Sequence, residues 1–138
     1  MRTTGFTLLE LLMVLLLGSV LTLWGVQSYR QQLQQQEVAQ LAVRLRACAV
    51  FLEEYYARHL RYKATAYTWP VLPYSRYPDA DELRYHISFG SSARNTDNGY
   101  YVLRAVDAAD SRRYVELTQT GMLKFCQPEA GRSICVRL

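Results

Sequence analysis

One acidic side chain, Glu10, lies inside the longest apolar run of the chain. From Phe6 to Val26 there are 21 residues, and Glu10 is the only ionisable side chain among them. A carboxylate within a membrane-spanning helix is costly and requires a positively charged partner. Cleavage between Gly5 and Phe6 would create one, because the new amine of Phe6 would lie about one helical turn from Glu10. The predicted chemistry is charge pairing between an amine and a carboxylate at low dielectric, within one subunit or between staggered neighbours.

The apolar run is long enough to cross a membrane as a helix. A conventional secretory signal has a shorter apolar core followed by a small-residue cleavage site, which the Leu-Trp-Gly-Val at 23–26 does not provide. Two interpretations follow: an ordinary single-span anchor, or a segment cleaved on its near side, between Gly5 and Phe6. The second is favoured because it supplies Glu10 with a counter-ion. Glycine before the cut also fits, since a protease can approach its backbone closely.

The cysteines and histidines are the remaining candidates for chemistry. Cys126 and Cys135 enclose a short segment with a proline and a glycine, and a disulfide there would stabilise the fold by roughly 2–3 kcal/mol in the entropic account. This pair is preferred, because the two cysteines share a short loop and Cys48 lies on an apolar helical stripe, while pairing of Cys48 with either of them stays open. The Cys-x8-Cys spacing matches no usual zinc pattern, and neither His59 nor His86 stands in a recognisable catalytic set. We therefore expect no metal, no cofactor and no enzymatic activity.

Beyond Tyr29 the apolar pattern narrows to a stripe of one helical face. Its members recur three and four residues apart: Val38, Leu41, Leu45, Cys48, Leu52, Tyr55 and His59. No helix breaker occurs from Val26 to Tyr62, so one helix of over 50 residues is predicted. A coiled coil is the competing interpretation, but the stripe covers only about three heptads and the strands that follow need a cover. Cys48 and His59 are therefore assigned to the core.

The second half of the chain predicts a loop and then strands. Residues 61–82 contain three prolines and five aromatic residues, which indicates an ordered loop laid on the domain; an exposed aromatic patch that binds a partner is the alternative. Alternating apolar residues then predict four strands, in "LRYHISF", "YYVLRAV", "RYVELTQ" and "MLKFC". Successive strands joined by turns form an antiparallel sheet, and the helix would cover one face of it. The predicted class is α+β.

At its N-terminus, "GFTLLELL" resembles the class III leader and N-terminal helix of type IV pilins and related pseudopilins. The resemblance implies removal of residues 1–5 by a prepilin peptidase, N-methylation of Phe6, and Glu10 as the assembly residue. Gln27 is a departure, because many such pilins have a proline there; without proline no kink is forced.

The resemblance implies a pilin fold over the whole chain. That fold is a long N-terminal helix, apolar in its first half and amphipathic in its second, packed on a four-stranded antiparallel sheet and followed by a disulfide-closed C-terminal loop, the D-region. The implied boundaries are an assembly half at 6–29 and a globular head at 30–138, with helix to about 60, an αβ loop at 61–82, sheet at 83–126 and the D-region at 126–135.

Two longer stretches look most like the minor pilins of the PilX and PilE-like group: "FLEEYYARHLRYKATAYTWPVLPYS" and "YYVLRAV…YVELTQTGMLKFCQPEAGRSIC". Such proteins are implied to be low-abundance fibre subunits that promote pilus-dependent aggregation and adhesion. The implied partners are the major pilin and other minor pilins, the prepilin peptidase, and pilus–pilus or host-surface contacts. The implied location is the bacterial inner membrane for the precursor and an extracellular fibre for the mature protein.

Two other functions share parts of this pattern. A type II secretion pseudopilin has the same leader, but pseudopilins often lack a cysteine-closed C-terminal loop. A DNA-binding competence pilin would need a basic surface, and the chain carries a net charge of +4 with six basic residues from Arg104 to Arg137. Acidic residues are interleaved with them, so nucleic acid is not the expected partner: Asp107, Asp110, Glu116 and Glu129.

Overall fold

The computed structural model describes residues 7–79 and 82–138, and its first element is one long helix. This helix, α1, runs from Leu8 to His59, 52 residues. The first proline of the chain is Pro70, so no residue within α1 lacks the backbone N–H that the helical ladder needs. The prediction of one helix of over 50 residues is confirmed. Contacts divide the chain into two compact units, Met1–Glu37 and Val38–Leu138, and α1 contributes to both.

The described residues of the second unit form one antiparallel sheet of six strands in chain order, β1-β2-β3-β4-β5-β6, each paired with the next. The strands are β1 (Arg76–Tyr77), β2 (Tyr85–Phe89), β3 (Val102–Asp107), β4 (Tyr114–Thr118), β5 (Leu123–Glu129) and β6 (Arg132–Arg137). A short 3-10 helix, Ala93–Asn95, lies between β2 and β3. Because every connection joins neighbouring antiparallel strands, the expected class, α+β with a helix on an antiparallel sheet, is confirmed.

The prediction of four strands was wrong, since β1 and β6 were missed. β1 has only two residues and lies within the proline-rich segment, so no alternating pattern marks it. β6 follows a two-residue turn in which Ala130 and Gly131 both have positive φ, 47° and 78°. Such a turn matches the twist of a hairpin, but its usual sequence signal is Asn-Gly or Asp-Gly. The segment expected to be a closed loop at 126–135 is therefore a hairpin of β5 and β6.

The core forms where the apolar stripe of α1 meets one face of the sheet. The stripe positions from Val38 to Leu52 are at most 8% exposed. They share one cluster with buried residues of the sheet: Tyr85, Ile87, Leu103, Ala105, Val115, Leu117, Leu123 and Phe125. The prediction that this stripe packs on the domain is confirmed. His59 is an exception: it is the last residue of α1, it is exposed, and its ring stacks on Tyr55 at 4.1 Å instead of entering the core.

Contacts of Trp69 and Arg44 hold the segment between α1 and β2 in place within the second unit. Trp69 stacks on Phe89 with ring centroids 4.4 Å apart, and its indole N–H donates to the carbonyl of Ser91 at 2.8 Å. Arg44 of α1 donates to both carboxylate oxygens of Asp79, at 2.7 and 2.8 Å. This bidentate geometry suits guanidinium and fixes both position and orientation. The loop is ordered by its aromatic residues and by one arginine of the helix.

The sheet face opposite α1 buries one carboxylate, that of Glu116. Its side chain is 5% exposed and lies 2.5 Å from Arg104 Nε and 2.7 Å from Lys124 Nζ. Burial by itself would raise the pKa of Glu116, but the hydrogen bonds from Lys124 and Arg104 outweigh it and hold this pKa below its ordinary value of 4.5. Gly90 leaves room for Arg104, since a Cβ at Gly90 would lie 2.9 Å from the arginine side chain.

We expect Glu116→Gln to lower the free energy of unfolding by about 1–2 kcal/mol at pH 7, because two cations lose their shared acceptor. A carboxyl group whose pKa is depressed in the folded state stabilises that state above the pKa of the unfolded chain, and this stabilisation is lost as the pH falls through the folded pKa. The difference between wild type and variant should therefore shrink below about pH 4.5. Thermal melts of the detergent-solubilised chain at pH 7 and pH 3 measure both effects.

The exposed Glu129 provides the control, as Glu129→Gln removes the same charge without a buried partner. An equal loss of stability at pH 7 in the two variants, or a Glu116→Gln deficit that persists at pH 3, would contradict the role assigned to Glu116.

Candidate membrane and assembly site

The first half of α1 presents an apolar surface without cover. Every large apolar side chain described between Leu8 and Val26 is at least 53% exposed. An 18-residue window of α1 has a mean hydropathy of 2.1, and none of that window is buried. By length and composition the helix could cross a membrane. Soluble monomers rarely expose apolar patches of this extent, and lipid or other apolar helices are surroundings that would suit this surface.

Glu10 lies in the first turn of α1, where its charge suits the helix dipole. Thr7 caps this end: its hydroxyl oxygen accepts the N–H of Glu10 at 3.3 Å, and its carbonyl accepts the same N–H at 3.0 Å. Threonine followed three residues later by glutamate is the sequence signature of a capping box. Thr7 is not among the site residues predicted above, although this Thr-x-x-Glu spacing is the signal for it. The side chain of Glu10 is itself exposed.

The hydroxyl groups within the apolar half are satisfied by the helix itself. Ser19 Oγ donates to the carbonyl of Leu16 at 2.7 Å, and Thr22 Oγ1 donates to the carbonyl of Ser19 at 2.8 Å. Polar groups that bond back to the backbone carry little penalty in lipid. The carboxylate of Glu10 has no such internal partner among the described residues, so it is the one group here that gains from an external cation.

Gly5 and Phe6, the predicted positions of cleavage and N-methylation, lie outside the described residues. The structure therefore supplies the helix end and the carboxylate of Glu10, and the pairing of that carboxylate with a terminal amine stays a prediction.

The C-terminal cysteines are brought together in the second unit. Cys126 and Cys135 form a disulfide and lie directly opposite each other on β5 and β6. Cys48 is free and buried, with its Sγ 3.7 Å from the carbonyl of Tyr74. The pairing preferred from the sequence is therefore present, and the two alternatives through Cys48 are not.

Candidate metal-ligating side chains are not grouped within residues 7–79 and 82–138. No group of three or more His, Cys, Asp or Glu side chains in these ranges could hold a metal ion. The His59 ring bonds to the carbonyl of Tyr55 at 2.9 Å, and His86 is exposed on β2. Comparisons of the sequence with protein-family models and with curated proteins find no match.

The disulfide assignment predicts how many thiols react. The native chain should not react with a maleimide, because Cys48 is buried and burial raises the pKa of its thiol. Unfolding without reductant should expose one thiol, and unfolding after reduction three. Reduction should lower the free energy of unfolding by about 2 kcal/mol, since it frees the unfolded chain. Mass spectrometry of the labelled chain counts the thiols.

Cys48→Ala is the matched control, because it should abolish labelling of the unreduced, unfolded chain. If the unreduced variant still carries a reactive thiol, Cys48 takes part in a disulfide and the assignment is wrong.

Proposed function

We propose that this chain is a subunit of a type IV pilus, a minor pilin that polymerises through the first half of α1. One observation carries the proposal. The helical surface from Leu8 to Val26 is apolar and exposed, and it contains a single carboxylate, Glu10, in its first turn. An anchor needs only the apolar surface. A carboxylate that would be buried in lipid needs a partner, and an assembly of such helices can supply one.

The proposed partner of Glu10 is an N-terminal amine. Removal of residues 1–5 by a prepilin peptidase would place that amine on Phe6, and N-methylation would leave it basic. Where helices stack with an axial stagger, the amine of one subunit reaches Glu10 of the next. At low dielectric such a pair is strong when formed, and either charge left alone is costly. The pair therefore sets the register between subunits.

The remaining features fit a fibre subunit. The precursor would wait in the inner membrane, held by the apolar half of α1. In the fibre the same surface would pack on the major pilin and on other minor pilins, while the second unit would lie at the outside with its disulfide. Resemblance to PilX-like proteins supports a role in pilus-dependent aggregation and adhesion, without catalysis or a cofactor.

Mass spectrometry of fibres sheared from cells tests this function directly. We expect a mature chain that begins at Phe6, carries one methyl group on its amine and contains one disulfide. Fibres from a strain without the prepilin peptidase are the control, since they should lack the chain. A chain that keeps Met1, or one that remains in the cell envelope and never appears in sheared fibres, would overturn the proposal.

Replacing the carboxylate tests the assembly step. Glu10→Ala should remain in the membrane at normal abundance, because no described contact of the second unit depends on it. Its amount in sheared fibres should fall at least about tenfold, the consequence of an amine left without its counter-charge in an apolar surrounding. Immunoblots of membrane and fibre fractions measure both quantities.

Glu10→Gln separates charge from shape and should fail like the alanine variant. Glu54→Ala, which removes an exposed carboxylate from the later part of α1, should assemble normally. Incorporation of Glu10→Ala at the wild-type level would show that the carboxylate has no part in assembly.

A further inference from the structure

β6 is an edge strand with an open side. It pairs with β5 along one side, and no described strand pairs with the other. All six of its residues are exposed. Exposed edges invite another strand, and proteins generally shorten, cover or charge them. β6 is as long as the internal strand β3, so its open side is a full-length binding edge.

The backbone groups of β6 that face outward can be identified from the ladder. The N–H of Leu138 donates to the carbonyl of Leu123 at 3.0 Å, so these two residues form a hydrogen-bonded pair. In an antiparallel ladder such pairs alternate with non-hydrogen-bonded ones. The backbone N–H and C=O of Ser133, Cys135 and Arg137 are therefore turned away from β5. No other described strand meets them.

β6 carries apolar side chains on the face of the sheet that forms the core, but these side chains are not buried. Val136 lies opposite Phe125, a core residue, and therefore projects to the same face of the sheet. Ile134, Val136 and Leu138 share this face by alternation, yet they are 43%, 56% and 56% exposed. A seventh strand with apolar residues at matching positions would extend the core by one strand.

Positive charge marks both ends of the edge. Neither Arg132 nor Arg137 has a carboxylate within 4.0 Å among the described residues, although Glu129 lies opposite Arg132 in the ladder. The one buried acid nearby, Glu116, already binds Arg104 and Lys124. Glu116, Lys124 and Arg137 lie side by side across β4, β5 and β6. A carboxylate on a seventh strand, opposite Arg137, would give this arginine an oppositely charged neighbour.

The same charges oppose pairing of β6 with a second copy of itself. A second copy would have to use the same outward groups, so Cys135 of one copy would lie opposite Cys135 of the other and Arg137 opposite Ser133. Such a pair would bring four arginines together without a carboxylate, because β6 contains none. The charges therefore disfavour a second copy of β6 and favour an acidic strand.

We propose that β6 accepts an extended segment of a partner protein as a seventh strand, a segment in which apolar residues are flanked by carboxylates. Backbone hydrogen bonds to Ser133, Cys135 and Arg137 would provide affinity. Side chains packed on Ile134 and Val136, and acids opposite the two arginines, would provide specificity, as in other recognition by β-strand addition. The inference depends on the hairpin alone and stands whether or not the chain is a pilus subunit.

A pair of capped, fluorescent hexapeptides tests the proposal on the full chain in detergent micelles. Glu-Val-Thr-Val-Thr-Glu places its acids opposite Arg137 and Arg132 in the antiparallel register; Lys-Val-Thr-Val-Thr-Lys is its charge-reversed control. Fluorescence polarisation should show the acidic peptide binding about tenfold more tightly, the combined effect of two exposed cross-strand charge pairs. The preference should weaken as salt is added.

Two variants locate the binding at the edge. Ser133→Pro removes an outward N–H but leaves the β5 ladder intact, since Ser133 lies opposite Pro128 at a non-hydrogen-bonded position. It should weaken binding of the acidic peptide. Arg132→Glu combined with Arg137→Glu should reverse the preference, so that the lysine peptide binds more tightly. Arg46→Glu with Arg58→Glu makes the same charge change on α1 and should leave the preference unchanged.

Three results would overturn the inference. Equal binding of the two peptides would show that charge does not select the occupant, and binding of neither would show that the edge takes no strand. Concentration-dependent dimers lost in Ser133→Pro would identify a second copy as the occupant instead. Circular dichroism and the thiol count of each variant verify that the hairpin is folded.

Discussion

The apolar first half of α1 is the main physical constraint on this protein, because its described side chains are left uncovered. The large apolar side chains described in this half are all more than half exposed, and the hydrophobic effect favours their removal from solvent. A bilayer satisfies this demand, and so does a bundle of similar helices. Glu10 makes the two environments unequal, because lipid offers a carboxylate no cation. Under the proposed function the N-terminal amine of a neighbouring subunit would supply that cation, and the same acid would then favour assembly over simple anchoring.

The second half of the same helix meets the opposite condition. From Val38 onward the apolar residues are confined to one stripe, and the sheet buries that stripe almost completely. Charged groups then fix details that apolar packing leaves open. Arg44 holds the segment before β2 through Asp79, and Glu116 holds β3, β4 and β5 in register through Arg104 and Lys124. The first contact is bidentate and the second has a buried carboxylate, and these features distinguish both from single ion pairs on an open surface.

The C-terminal hairpin combines rigidity with an open edge. Its disulfide joins directly opposed residues, so β6 is held in place although none of its side chains is buried. A strand fixed in this way keeps its backbone groups ready for a partner and loses little freedom on binding. The two arginines at its ends supply the charge by which natural sheets avoid joining copies of themselves.

Much of this architecture followed from local pattern. The continuous apolar run, the three-and-four spacing from Val38 to Leu52 and the absence of proline before Pro70 were enough to predict α1 and its buried face, because helical periodicity is a property of neighbours in sequence. The alternation in β2 to β5 predicted four strands for the same reason. The preference for the Cys126–Cys135 disulfide rested on the short separation between the two residues.

Tertiary structure decided what depends on distant groups. β1 is a strand only because β2 lies beside it, and β6 only because a turn with an unusual Ala-Gly sequence folds it back on β5. His59 continues the helical stripe in sequence but lies at the end of α1, where its ring packs on Tyr55. The pairing of Arg44 with Asp79 joins residues 35 positions apart, which no local pattern encodes. The sequence determined which residues are apolar, and only the assembled sheet determined which of them are buried.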